Sequence, residues 1–374
     1  MALLTPGGLD LGELPLVDAH CHAITTAPLD DAAFALWCTE ADDPAPPGVS
    51  YLDGQLGWAL RRWCAPVLDL PAHAPVEDYL RRRRRLGADE AAGRLLRAAN
   101  LSALLVDTGP VLGGLVDHAV LGTLAGAPTR WVVRLELLAE QVAPGTDAAG
   151  FAAAFGEALH EALAGAVAVK SIAAYRHGLD LDPARPQPHE VTAAAARWQR
   201  DGERLTDPVL LRHLLWCAVD AGLPIQLHTG WGDRDQPLAR ADPALLQPFC
   251  EATLASGVPL VLLHCYPYHR QAGWLAQVYP HVYVDVGLTV THLGGRAAAV
   301  LGEFLELAPF GKLLYSSDAI GLPELYLVGA AQFRHGLGRV LGELVADGAL
   351  TRAGAYDVAE RIGAGNAARL YRLA

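Results

Sequence analysis

The chain has 374 residues, a mass of 39.6 kDa and a formal net charge of −12, with 52% hydrophobic and 19% charged residues. This composition supplies a large core and carries no disorder signature. The acidic balance argues against sequence-independent nucleic-acid binding, which needs clustered Lys and Arg. Six cysteines lie far apart with no CxxC pair, which is not the pattern of a disulfide framework. The opening "MALLTPGGLD" has neither a basic start nor a long apolar stretch, so no signal peptide is expected. No run approaches the ~20 apolar residues of a membrane span. A cytoplasmic protein with a small-molecule substrate, and with no nucleic-acid or membrane partner, is the expectation.

Short apolar runs recur along the chain at Leu14–Ala19, Ser102–Asp107, Trp131–Leu135, Ala166–Ser171, Pro224–His228, Pro259–His264, Val282–Val286 and Lys312–Ser317. Segments of helical period separate them, among them Ala148–Ala164, Asp207–Ala221, Pro243–Ala255 and Arg296–Ala308. Strand and helix alternating in this way predict a closed (β/α)8 TIM barrel, with a doubly wound open sheet as the alternative. The irregular part is 27–100, between strands one and two. It holds the turn-rich "ADDPAPPGVS" and then a helical region with Trp58, Trp63, Tyr79 and the basic run Arg81–Arg85. It is read as a helical cap on a single domain, 1–374, shaping the substrate pocket or a dimer contact. A homo-oligomer, specifically a dimer, is expected. The arginine run is read as a solvated helix face. The chain closes with "AGAYDVAERIGAGNAARLYRLA", a capping helix and a short terminal one.

The unusual polar residues fall at the strand ends. His20 and His22 close the first strand, Lys170 the fourth, His228 the fifth, His264 the sixth and Asp318 the eighth. Each follows an apolar run, so each emerges at the carboxyl-terminal rim, where parallel α/β folds hold their chemistry. Residues i and i+2 of a strand share a face, so His20 and His22 converge and can bind one ion. Imidazole nitrogen and carboxylate oxygen suit zinc and other first-row divalent metals. An ion also compensates the burial of Asp318 and Lys170. Cys21 and Cys265, beside ligand histidines, should point into the barrel wall.

This ordered set, with "VKSIAAYRHGLDL", "LPIQLHTGWGDRD", "LLHCYPYHRQAGWLA" and "LLYSSDAIGLPELYLVGA", resembles the amidohydrolase superfamily over almost the whole chain. It is most similar to the amidohydrolase-related branch that also forms the amino-terminal half of plant and fungal proteins fused to a glutamine synthetase-like domain. No synthetase-like sequence occurs within these 374 residues. The resemblance implies that His20, His22 and Asp318 bind a first metal and that Lys170, as a carbamate, with His228 and His264 holds a second. In the alternative, mononuclear arrangement His228 joins the first metal and Lys170 stays an amine that orients substrate. Zn2+ is the expected ion, with Mn2+ or another divalent metal also compatible. The implied reaction is metal-assisted hydrolysis of an amide-like C–N bond, in a γ-glutamyl compound for example. In it His264 helps polarise the carbonyl and Asp318 carries the proton from water to the leaving nitrogen.

Tyr175 and Arg176 follow the fourth strand, where the arginine suits a substrate carboxylate or a salt bridge to Asp233 or Asp235. Trp231 is a candidate pocket wall, and His269, Arg270 and Glu324 are candidates to face the pocket. Two rival readings remain. A metal-dependent decarboxylase on the same barrel is disfavoured by the fourth-strand lysine, and a non-catalytic binding or regulatory protein by the filled ligand set.

Overall fold

The computed structural model describes residues 8–109, 114–202 and 204–373, so Met1–Gly7 of the amino-terminal run lies outside the described residues. Eight parallel strands follow one another in order: β1 Leu16–Cys21, β2 Leu101–Asp107, β3 Thr129–Arg134, β4 Ala166–Ser171, β5 Ile225–Thr229, β6 Leu260–His264, β7 Val282–Asp285 and β8 Leu313–Leu314. Ala19 N–H donates to the Tyr315 carbonyl at 3.1 Å and Asp318 N–H to the His20 carbonyl at 3.0 Å, which carries β8 back to β1. The closed (β/α)8 barrel is therefore the fold.

Alternation along the strands builds two cores. Leu16, Leu104, Val169, Ile225, Leu227, Leu260 and Leu262 face outward into the layer under the helices. Val17, Ala19, Ala103, Leu105, Val132, Ala168, Val261, Leu263 and Leu314 fill the interior. Three of these are alanines, and the room they leave is taken from below by Ala367 and Tyr371 of the carboxyl-terminal segment. Sequence punctuation sets the helices. Pro208–Ala221, for example, starts where the Asp207 side chain accepts from Val209 N–H and stops at left-handed Gly222. Among the described residues no helix is long and apolar enough to cross a membrane.

The segment between β1 and β2 forms four helices: α1 Asp31–Leu36, α2 Gln55–Val67, α3 Val76–Leu86 and α4 Ala88–Ala98. Helices α2 and α4 pack on the long helix Pro323–Ala346 that follows β8. The Trp37 ring lies over Gly321, where any Cβ would come within 2.2 Å of it, so only glycine fits.

Three expectations change here. Arg83, from the basic run, is not on the solvated face. It is buried on α3 and donates through Nε to Glu324 Oε1 at 2.6 Å, while Tyr79 Oη donates to the same oxygen at 3.0 Å. Glu324, expected at the pocket, is fully buried in this pair instead. The helical period of α3 turns one arginine of five toward Pro323–Ala346, and the glutamate there is its counter-charge. Strand β8 is also shorter than its apolar run, because side chains take over its hydrogen bonds, as described below.

Glu324→Ala leaves the Arg83 charge buried and unpaired. It is expected to cost about 3–5 kcal/mol in equilibrium denaturation, and the joint replacement Arg83→Met with Glu324→Leu is expected to recover most of that loss.

Candidate metal centre and substrate cavity

The β1–β2 register fixes the first pair of ligands. Asp18 pairs with Leu104 and Cys21 with Val106, so three steps along β1 span two along β2. This bulge lets Ala19 and His20 both face the interior. Cys21 turns outward, its thiol donating to the Leu105 carbonyl at 3.5 Å, and His22 returns inward. At the ends of β6 and β8 the backbone itself turns. His264 has φ 68°, Cys265 φ 63° and Asp318 φ 52°, in the left-handed region that side-chain-bearing residues rarely adopt. These turns aim His264 and Asp318 into the mouth, and they leave Cys265 buried against Thr229.

Two aspartates hold the turns. Asp285 Oδ1 accepts from His264 N–H at 2.7 Å and its Oδ2 from Ser316 Oγ at 2.6 Å. Asp18 accepts from Ser317 N–H at 2.8 Å and Ser317 Oγ at 2.6 Å. Burial pushes the carboxyl of Asp18 up to about 7 and that of Asp285 up to about 6.

All six expected ligands meet. Asp318 Oδ1 lies 3.1 Å from His20 Nε2 and 3.4 Å from His22 Nε2, and Oδ2 lies 3.6 Å from His264 Nε2. Lys170 Nζ is 3.4 Å from His20 Nε2, and the His228 and His264 rings are 4.6 Å apart. The donor atoms of His20, His264 and Asp318 lie close enough together to hold one ion, and so do those of His20, His22 and Asp107.

Burial keeps three of the imidazoles neutral, lowering His20 to about 4, His264 to about 3 and His228 well below its usual value. It opposes ionisation of Asp318, but the close approach of His264, His20 and His22 holds that carboxyl well below the carboxylate range. Burial also brings Lys170 down to about 8. Asp107 would be raised by its burial, yet the Arg134 guanidinium holds it at about 2. Gln226 Oε1 accepts from His20 Nδ1 at 2.8 Å, which leaves Nε2 as the free lone pair. Gln226 Nε2 in turn donates to Tyr371 Oη at 2.9 Å, so a column of hydrogen bonds runs up the barrel axis to His20.

The cluster opens into a cavity of about 390 Å³. Tyr175 and Arg176 line it; the Tyr175 ring lies 4.5 Å from that of His228, and its hydroxyl rests where a Cβ on Gly232 would stand, 1.9 Å away. Arg176 is paired with Glu140 at 2.7 Å, not with Asp233 or Asp235. Trp231 stands edge-on to His292 and does not line the cavity. Arg270 is exposed and paired with Glu306 and Glu303, and His269 bonds Glu303, so neither reaches the site. Missed residues include Arg134, Glu40 and Arg204, which also line the cavity. The rule that picks out Lys170 and Asp318, a charge closing an apolar strand, picks out Asp107 and Arg134 as well; Glu40 in the insertion carries no such signal.

A family model described as amidohydrolase matches residues 17–373. The chain belongs to that family. A Lactobacillus casei protein described as a metal-dependent hydrolase is 32% identical, with 98% of each chain covered and a TM-score of 0.87. Protein fluG of Emericella nidulans is 35% identical over 223 residues, which is 55% of this chain and 26% of fluG, so this amidohydrolase spans about a quarter of that relative. A uronate isomerase from Bacillus halodurans shares the fold, with a TM-score of 0.63 at 14% identity and 97% and 94% of the two chains covered.

The amidohydrolase family and the Lactobacillus casei relative imply a divalent metal, and the residues fit one. His22 Nδ1, His228 Nε2 and both ring nitrogens of His264 are buried without a hydrogen-bond partner. Buried ring nitrogens without partners beside an anionic carboxylate are costly unless a cation takes them up. Gln226→Leu removes the acceptor that orients His20 and is expected to weaken metal binding about 10–100-fold, read by chelator competition. Tyr371→Phe, one bond further down the column, should lose less.

Proposed function

We propose that this amidohydrolase cleaves an amide-like C–N bond of a small polar substrate, with zinc as its metal and γ-glutamyl compounds as its substrate class. The observation that carries the reading is the cluster of buried imidazoles around Asp318, with unpartnered ring nitrogens, at the floor of the cavity. Nitrogen donors joined to a carboxylate suit zinc. A divalent cation bound there supplies Lewis acidity, which activates water and polarises a carbonyl. Asp318 takes the proton of the attacking water on its carboxylate and delivers it to the leaving nitrogen. His264, facing the second oxygen of Asp318, orients the carbonyl. Arg176 holds a substrate carboxylate. Lys170, whose amine burial keeps partly neutral at physiological pH, adds carbon dioxide with loss of a proton, and the resulting carbamate presents two oxygens that share one negative charge beside His20. The γ-glutamyl class rests on analogy with the branch joined to glutamine synthetase-like domains.

Protein purified without chelator is expected to contain zinc or manganese and to release ammonia or amine from γ-glutamyl amides. Stripping the metal should abolish release and adding it back should restore it; protein that regains nothing with either ion would sink the hydrolase reading. Carbon dioxide from aromatic acids, with no amine release, would replace hydrolysis by decarboxylation. Lys170→Ala should lower the metal content from about two ions per chain to about one, and full retention excludes the binuclear site.

A further inference from the structure

The charges on the cavity wall do not balance by pairing. Arg134 is committed to Asp107, Arg176 to Glu140 and Arg204 to Asp235. Glu40 from the insertion and Asp233 from the loop after β5 also line the cavity, and among the described residues neither has a cation within ion-pair distance. Arg176 shows the opposite defect. Its side chain is 9% exposed, yet its buried Nε–H has no acceptor.

The two carboxylates are brought together by their sequence neighbours. Arg234, next to Asp233, pairs with Asp42 at 2.8 Å and Asp43 at 2.5 Å, two and three residues after Glu40. That clamp holds the insertion against the β5 loop and sets both carboxyls on one partly buried cavity wall. Burial and the charges of Asp318, Asp233 and Asp42 push Glu40 up to about 8, and burial raises Asp233. Two carboxyls held in a cleft with no internal cation, one of them kept largely protonated, ionise together when a positive group arrives from outside, and are then complementary to it. An inorganic cation would satisfy them but would leave Arg176 Nε without an acceptor. A molecule bearing both an ammonium and a carboxylate satisfies both, and a cavity of about 390 Å³ suits a small one.

We propose that Glu40 and Asp233 receive the ammonium group of the substrate and Arg176 Nε its carboxylate, so that this enzyme selects amides of a dipolar, amino-acid-like acid. The inference rests on the hydrolase reading above and makes the insertion, through Glu40, a determinant of specificity.

L-γ-Glutamyl-p-nitroanilide and glutaryl-p-nitroanilide differ only in the α-amino group. Binding to the zinc-loaded protein by calorimetry, and release of p-nitroaniline, are measured for both. The wild type is expected to bind the ammonium-bearing probe about tenfold or more tightly. Glu40→Gln and Asp233→Asn should each bring that ratio toward one, with thermal midpoints unchanged, whereas Arg176→Lys should weaken both probes. A ratio that neither carboxylate variant alters, or no binding of the γ-glutamyl probe, overturns the proposal. So does a Glu40→Gln variant that loses turnover of both probes with the binding ratio intact, since Glu40 then acts as a proton donor. A ratio that follows the variants while neither probe is hydrolysed leaves the inference standing and removes the hydrolase reading.

Discussion

The mouth of the barrel depends on one extra residue in β1. A strand of strict period two that sends Val17 and Ala19 inward would send His20 and His22 outward, under the helices. The bulge between Asp18 and Cys21 changes the phase after Ala19, so the lower half of the strand packs the core and the upper half presents ligands. It also leaves Asp18 in the outward phase, where its carboxylate reaches Ser317 and fixes the end of β8. One local irregularity therefore positions three ligands, two directly and Asp318 through its neighbour.

The rest of the centre follows from replacing ladder hydrogen bonds by side-chain ones. His264 and Asp318 leave the strand conformation at left-handed residues, which would strand the amides around them in a buried region. Asp285 and Asp18 accept those N–H groups, so the turns are retained without orphaned backbone donors. The imidazole nitrogens are treated in the opposite way. Of these ligands His20 is given an internal acceptor for its Nδ1, Gln226 Oε1, while His22, His228 and His264 keep nitrogens unbonded. Backbone groups are satisfied and ligand lone pairs are left free, which is the division a metal centre requires.

This division explains what the sequence made legible. Eight apolar runs each ending in turn residues give the barrel, and a polar residue closing an apolar run is conspicuous because its burial has to be compensated. His20, His22, Lys170, His228, His264 and Asp318 stood out for that reason, and Asp107 and Arg134 fit the same pattern. The bulge did not stand out, since the residues from Leu16 to Cys21 read the same with or without a phase change. Nor did the role of Arg83, because five consecutive arginines cannot all face solvent on a helix of 3.6 residues per turn, and the run alone does not say which one turns in. Arg270 and Glu324 follow apolar segments as Arg176 does, but helix direction after the strand, absent from local sequence, decides whether such a residue meets the cavity.

The insertion is where sequence was least informative and where the structure adds most. Two kinds of ion pair fasten it, and burial separates their effects. Arg83 and Glu324 are desolvated together with Tyr79, beneath the Phe34 ring, so breaking that pair strands a charge in the core. Arg234 with Asp42 and Asp43 is exposed and screened by salt, and contributes little to stability. Its effect is register: it determines which residues of the insertion stand beside the β5 loop. The buried pair keeps the insertion on the barrel, the Trp37 ring over Gly321 seats its first turn beside β1, and the exposed clamp carries Glu40 to Asp233. Changes at the exposed end can therefore alter what the cavity faces without loosening the buried base, which separates the insertion's contribution to specificity from its contribution to stability.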